Sequence, residues 1–458
     1  MYNQINKKKL LFNYMKRRFI TLAVALIATM AIANAQSKKE IIKTGINLGP
    51  LPVVAFDADR GFQYGALLNI YNFDDGSTYP NPKSTWMLEA SAYTKGSYKF
   101  VANYDKRELT DKIRLSVCTG YYNDRALDFY GFNGYQSIYN MELIEPFISY
   151  SEGSSFKDTP KGFYRYSRQM VKIKADLTGE ITDNLYWEAG YNFNWLDISS
   201  FTPEGYTVLG DRIPGGTTLF DLYKTWGIVP LDQADGGIVS SIRLGLMYDT
   251  RNVENNPTKG IWAEAHLDIA PKFLGTTHQH FTLSANMRQY LPIADNLTFA
   301  YRVAYQGLLN NDAPWYMMPF YTSMGPKQDF DGVGGYRTAR GLMLNRVVGK
   351  HTAFYNTEMR WRFVNFQKWN QNIAFALTGF CDGAYTIKGY DIEAKTPLNA
   401  DLYSQFIDTS KKDGIHAAAG AGLRFIMNQN FIVAFEYAKC FNPQDGNGAF
   451  YINTGFLF

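Results

Sequence analysis

The chain has 458 residues, 16% of them aromatic, with 39 glycines and a formal net charge of +4. Six of its 46 Lys/Arg lie in residues 1–35, which hold no acid, so 40 basic residues face 42 acidic ones in the remainder, a net of −2. That balance excludes nucleic acid as a partner, which needs a basic patch or stripe, and the scattered Cys118, Cys381 and Cys440, without CxxC spacing, imply neither a disulfide framework nor a zinc site.

The first element is a leader. Lys16, Arg17 and Arg18 precede an apolar run from Phe19 to Ala33, which closes on Ala33-Asn34-Ala35. That order predicts a secretory signal peptide over residues 1–35, cleaved before Gln36, and the run is too short for a membrane anchor. Met1 and Met15 both stay open as translation starts. Residues 36–50 read as a short periplasmic lead-in.

From residue 51 onward the chain alternates. In 297–305, Leu297, Phe299, Tyr301, Val303 and Tyr305 oppose Thr298, Ala300, Arg302 and Ala304. In 353–363, Ala353, Tyr355, Thr357, Met359, Trp361 and Phe363 oppose Phe354, Asn356, Glu358, Arg360 and Arg362. In a strand, residues two apart share a face, so each segment has one apolar and one polar side. Such segments recur at about 51–57, 61–73, 84–95, 98–105, 111–122, 163–179, 184–198, 236–248, 259–272, 278–290, 296–307, 352–366, 371–382, 415–427, 430–440 and 449–458. Sixteen is an even number, as single-chain bacterial barrels require. The long connections 123–162, 199–235, 308–351 and 383–414 all fall on one side and the short turns on the other. The fold class is therefore all-β: a closed transmembrane antiparallel β-barrel of about 16 strands over 51–458, with lipid outside and a polar lumen.

The final segment sets Phe450, Ile452, Thr454, Phe456 and Phe458 on one face. A terminal aromatic closing an alternating strand resembles the C-terminal signal read by barrel-assembly machinery, and Phe456 and Phe458 would carry it. No GxSxG, HExxH or GxxxxGK[ST] motif occurs, so no enzyme activity, catalytic residue or cofactor is implied. His278 and His280 lack further ligands at metal spacing, and no metal site is expected.

One loop stands apart. It carries Gly334-Gly335, then Arg340-Gly341-Leu342. Together with Tyr248-Asp249-Thr250-Arg251 and Pro257-Thr258-Lys259-Gly260, Arg288-Gln289-Tyr290-Leu291-Pro292, Phe129-Tyr130-Gly131-Phe132 and Gly420-Ala421-Gly422-Leu423-Arg424, it resembles the BamA/TamA-type outer-membrane assembly superfamily, also called the bacterial surface antigen family. The resemblance implies that the loop between strands eleven and twelve folds back into the lumen. Arg340 would pair there with Glu358 and Asp382, both on polar strand faces, because a desolvated guanidinium left alone is costly. Leu342 stands where the family has an aromatic residue, which would loosen the loop tip. The residues between Gln36 and Pro50 are too few for the periplasmic POTRA domains that family members usually carry.

The resemblance implies a protein of the bacterial outer membrane that assists insertion or translocation of proteins or lipids. Its partners would be outer-membrane lipid, client polypeptides and periplasmic or outer-membrane assembly proteins. The competing expectation is a passive channel or a scaffold subunit. An assembly factor would have a weak seam between its first and last strands, helped by Gly455 and by a short opening strand with Pro50 and Pro52 at its start.

Overall fold

The computed structural model describes the chain except residues 1–39, 58–60, 95, 147–159, 202–205, 209–216, 311–312, 327–329, 397 and 399. The leader expected over 1–35 lies outside the described residues. Sixteen strands form one antiparallel sheet in sequence order. They are β1 (Ile46–Asp57), β2 (Gly61–Asn72), β3 (Ser84–Tyr93), β4 (Tyr98–Thr110), β5 (Ile113–Asp128), β6 (Arg165–Thr182), β7 (Leu185–Ser200), β8 (Gly236–Asp249), β9 (Gly260–Ala270), β10 (His280–Ala294), β11 (Leu297–Leu308), β12 (His351–Lys368), β13 (Gln371–Lys388), β14 (His416–Met427), β15 (Phe431–Cys440) and β16 (Ala449–Thr454).

The alternation explains the wall. Leu244, Leu246, Val303, Met359, Leu423 and Phe435 are exposed on the outside, while their neighbours Arg243, Arg302, Glu358, Arg424 and Glu436 are buried inside. A bulge between Arg362 and Val364 breaks the pattern. Beyond it Phe366 faces outward, and Phe363, expected on the lipid face, is buried. Short turns close the periplasmic rim. Trp369-Asn370 has positive φ at both positions, the geometry that a two-residue hairpin favours.

The opening strand departs from expectation. It begins at Ile46, so Pro50 and Pro52, expected at its start, lie well inside its register with β2. The two prolines share parity, so their nitrogens face the same edge. β1 ends the sheet, and an edge facing no partner tolerates missing donors.

At the outer end, the four long loops meet in one aromatic layer. Phe129 sits edge-on to Phe132, Phe220, Tyr223 and Trp315 at centroid separations of 5.6, 5.5, 5.1 and 6.0 Å. Phe220 and Tyr223 belong to helix α1 (Leu219–Thr225), which Thr218 caps through a box with Asp221. Phe406, from helix α2 (Ala400–Phe406), packs on Phe163 at 5.0 Å. Trp226 and Phe220 are fully buried in this roof.

Candidate functional site

The loop between β11 and β12 turns back into the barrel. Its tip is shaped by glycines at left-handed φ: Gly334 at +121°, Gly335 at +72° and Gly341 at +95°. Thr338 ties the turn, its hydroxyl accepting from Gly334 N at 2.9 Å. A Cβ on Gly341 would stand 2.7 Å from the Cβ of Ala418 and 3.1 Å from that of Ala438. The tip thus lies against the inner wall of β14 and β15, where small residues leave room for it.

That approach delivers Arg340, whose side chain is 0% exposed, to a carboxylate cluster. Its Nε and Nη2 donate to the two oxygens of Asp382 at 2.7 and 3.0 Å, a bidentate pair, and its backbone N–H donates to Asp382 as well at 3.0 Å. Nη1 donates to Glu358 and to Glu436, both at 2.7 Å. The guanidinium lies 3.5 Å above the Phe380 ring. Arg424 reaches Glu436 at 2.7 Å and Glu358 at 3.2 Å, and Arg360 reaches Glu358 at 2.6 Å. Three arginines therefore share three acids, and each buried charge is compensated. Glu436 was not singled out in the sequence, although its position two residues after Ala434 on the inner face of β15 was available as a signal. Leu342, expected to loosen the tip, is instead buried among Val333, Val347 and Phe354.

A second stretch of the loop holds the opposite wall. Ser323 O accepts from Lys174 at 2.8 Å and from Arg243 at 3.2 Å. Met324 N donates to Glu264 at 3.0 Å and Gly325 N to Asp176 at 3.0 Å. Thr322 donates to Asp268 at 2.9 Å. The loop is a brace across the lumen, fixed on β6–β9 at one end and on β12–β15 at the other.

Below the brace, the turn between β8 and β9 crosses the periplasmic opening. Glu254 on this turn meets Arg114 of β5 at 2.5 Å and Arg107 of β4 at 2.6 Å. Burial disfavours the Glu254 carboxylate, but Arg114, Arg107 and Arg251 outweigh burial and hold its pKa well below the usual range.

The seam is where the wall weakens. Among the described residues, no ladder joins β1 to β16. β16 pairs with β15 only from Ala449↔Ala438 to Thr454↔Val433. Gly455, expected within the last strand, follows it at φ +84° and turns the chain. Phe456 and Phe458 consequently leave the lipid face that Phe450 and Ile452 share. Phe456 lies 4.3 Å from the Arg360 guanidinium and 4.7 Å from that of Arg424. Phe458 is buried beside Tyr290, and its carbonyl oxygen accepts from Arg360 at 2.9 Å. Stacking on guanidiniums and lumen burial replace the lipid contact the alternation predicted.

Cys118, Cys381 and Cys440 form no disulfide. The Cys440 thiol instead donates to Gly341 O at 2.8 Å, beside the loop tip.

The Omp85 superfamily domain matches residues 111–458. No curated protein matches the sequence. Among solved structures, CdiB from Escherichia coli aligns with a TM-score of 0.50 and 8% identity over 90% of this chain. This chain spans 62% of that protein, so the likeness speaks to the fold of the barrel alone. BamA from Haemophilus ducreyi lacking POTRA domains 1–3 aligns at 16% identity, with a TM-score of 0.48, over 90% of this chain and 69% of that one.

Proposed function

The chain belongs to the Omp85 superfamily, and from that premise we propose that it works in a bacterial outer membrane, reached through the leader over 1–35, by assisting insertion or translocation of polypeptide or lipid clients at its β1–β16 seam. The role is physical rather than enzymatic. Client polypeptides, membrane lipid and assembly proteins on the periplasmic or membrane side are its partners.

One contrast carries this reading. The lumen is braced by the inserted loop and roofed by the aromatic layer, while among the described residues the sheet is interrupted at a single place, between β1 and β16. Unpaired backbone groups facing hydrocarbon cost several kcal/mol each, so a strand arriving at that edge would be stabilised by pairing there. A passive channel requires the reverse arrangement, an open lumen and a bonded seam.

The test is to lock the seam with one cysteine in β1 and one in β16, after replacing Cys118, Cys381 and Cys440 with alanine. In proteoliposomes, folding of an outer-membrane barrel client should be accelerated by the reduced protein and fall to the protein-free rate on oxidation. Equal acceleration by the oxidised and reduced forms would overturn lateral opening.

A further inference from the structure

β1 and β16 lack a ladder, yet their periplasmic ends are not left apart. β16 stops opposite Val433, so β15 runs on past it, and at that level β1 faces Phe431 directly. The Phe431 ring lies 3.2 Å from where a Cβ on Gly49 would stand, a close approach of side chain to backbone across the seam. Around this contact a set of side-chain hydrogen bonds spans the seam. Asn430 donates to Pro80 O at 2.7 Å, linking the β14–β15 turn to the β2–β3 turn.

The segment before β1 adds to them. Gly45 is tied to the β2 side, donating to Asp74 O at 2.7 Å and accepting from Phe73 N at 2.9 Å. From there residues 40–44 run under the seam to the turns beyond it. Ile41 N donates to the Asn372 side-chain oxygen, and the Asn372 amide donates back to Ile41 O, both at 2.9 Å. The side chain of Asn372 thus pairs with Ile41 as a strand backbone would. Lys43 is buried and donates to Asn370 O. Glu40 accepts from Tyr79 at 3.2 Å and from Gln429 at 3.1 Å, and Asn372 donates to the Tyr79 hydroxyl at 3.2 Å. Asn370 and Asn372 lie at the β12–β13 turn, with β14 to β16 between them and the seam.

We infer that Glu40–Gly45 is a strap holding the periplasmic end of the seam shut, with Asn372 as its catch, so that the seam opens from the outer end unless the strap is released. The inference rests on the lateral-opening reading for its purpose, but not for its geometry. It assigns Asn372 a positioning role, and it makes the stretch just upstream of β1 the place where a pull from the periplasm would be transmitted to the seam. Losing a reciprocal pair of hydrogen bonds shifts such an equilibrium by about fivefold or more.

The experiment measures the seam directly. Spin labels on cysteines at Leu48 in β1 and Ile452 in β16, both facing lipid, report the inter-strand distance in proteoliposomes, with the native cysteines replaced by alanine. Asn372→Ala should raise the wide-distance population by about fivefold relative to the parent. Tyr79→Phe, which keeps the ring and removes one hydroxyl, should raise it less and in the same direction. If Asn372→Ala lowers the folded fraction, Tyr79→Phe decides alone. An unchanged distance distribution in folded protein would overturn the strap. Client folding is measured on the same samples. A widened seam with unaltered client folding leaves the strap standing and removes the lateral-gate function. A seam lock that blocks folding, beside strap variants that leave the distances unaltered, does the opposite.

Discussion

Two stretches of one loop grip opposite walls of the barrel by different means. The tip, residues 337–342, is keyed by one buried cation, Arg340, which engages Asp382, Glu358 and Glu436 at once, while Thr338 O and Gly341 N add bonds to Asn356 and Tyr451. The middle, residues 322–325, is keyed mostly by backbone: Ser323 O, Met324 N and Gly325 N meet Lys174, Arg243, Glu264 and Asp176. A charged key places the ionic part of the attachment in one residue. A backbone key spreads it over the wall, so that no substitution in the loop can remove more than a part.

The largest effect should follow Arg340→Ala. Three carboxylates lose their shared cation, and breaking a buried ion cluster by removing one partner costs about 3–5 kcal/mol. The loop between β11 and β12 should become cleavable by an added protease while the barrel keeps its heat-modifiable band on gels. Arg340→Lys should fall between, since an ammonium cannot make the bidentate pair. Protection equal to the parent in Arg340→Ala would show that the tip is not held by its side chain.

Gly341→Val should come next. The valine needs φ +95° and places its Cβ against Ala418, for a cost of roughly 1–3 kcal/mol. Protease sensitivity should appear in the same loop, with Arg340 intact. The smallest effects should come from the opposite wall. Glu264→Gln keeps an acceptor for Met324 N, and the neighbouring attachments remain, so the change in loop protection should stay within about 1 kcal/mol. A loss from Glu264→Gln as large as that from Arg340→Ala would show that the two grips do not differ as described.

The tip was legible because a family resemblance and a local signal coincide there. Gly334-Gly335 and Arg340-Gly341-Leu342 resemble the superfamily's lumen-loop motif, and alternation puts Glu358 and Asp382 on inner faces of adjacent strands. Glu436 obeys the same alternation one strand farther from Asp382, but nothing local says that a loop tip reaches it. The 322–325 grip has no signature at all. Its bonds use main-chain groups, which every residue offers, and which of them meet Glu264 or Asp176 depends on the path of the whole loop. The roof is similar: Phe129, Phe220, Trp315 and Phe406 are separate aromatics in sequence and neighbours only once four loops converge.

The sequence by itself determined the strand count, the side of the long loops, and which residues face lipid where the strands run without a bulge, because a period of two and turn chemistry act within a few residues. It did not determine how the ends of the sheet meet. Pro50 and Pro52 argued locally for a strand that starts at them, yet an edge without a partner accommodates both in the middle of β1. Phe456 and Phe458 continued an outward alternation, yet Gly455 turns them onto Arg360 and Arg424 in the lumen. Whether β1 and β16 bond is set by where each lies after fourteen other strands have paired, and only the tertiary structure sums those registers around the barrel.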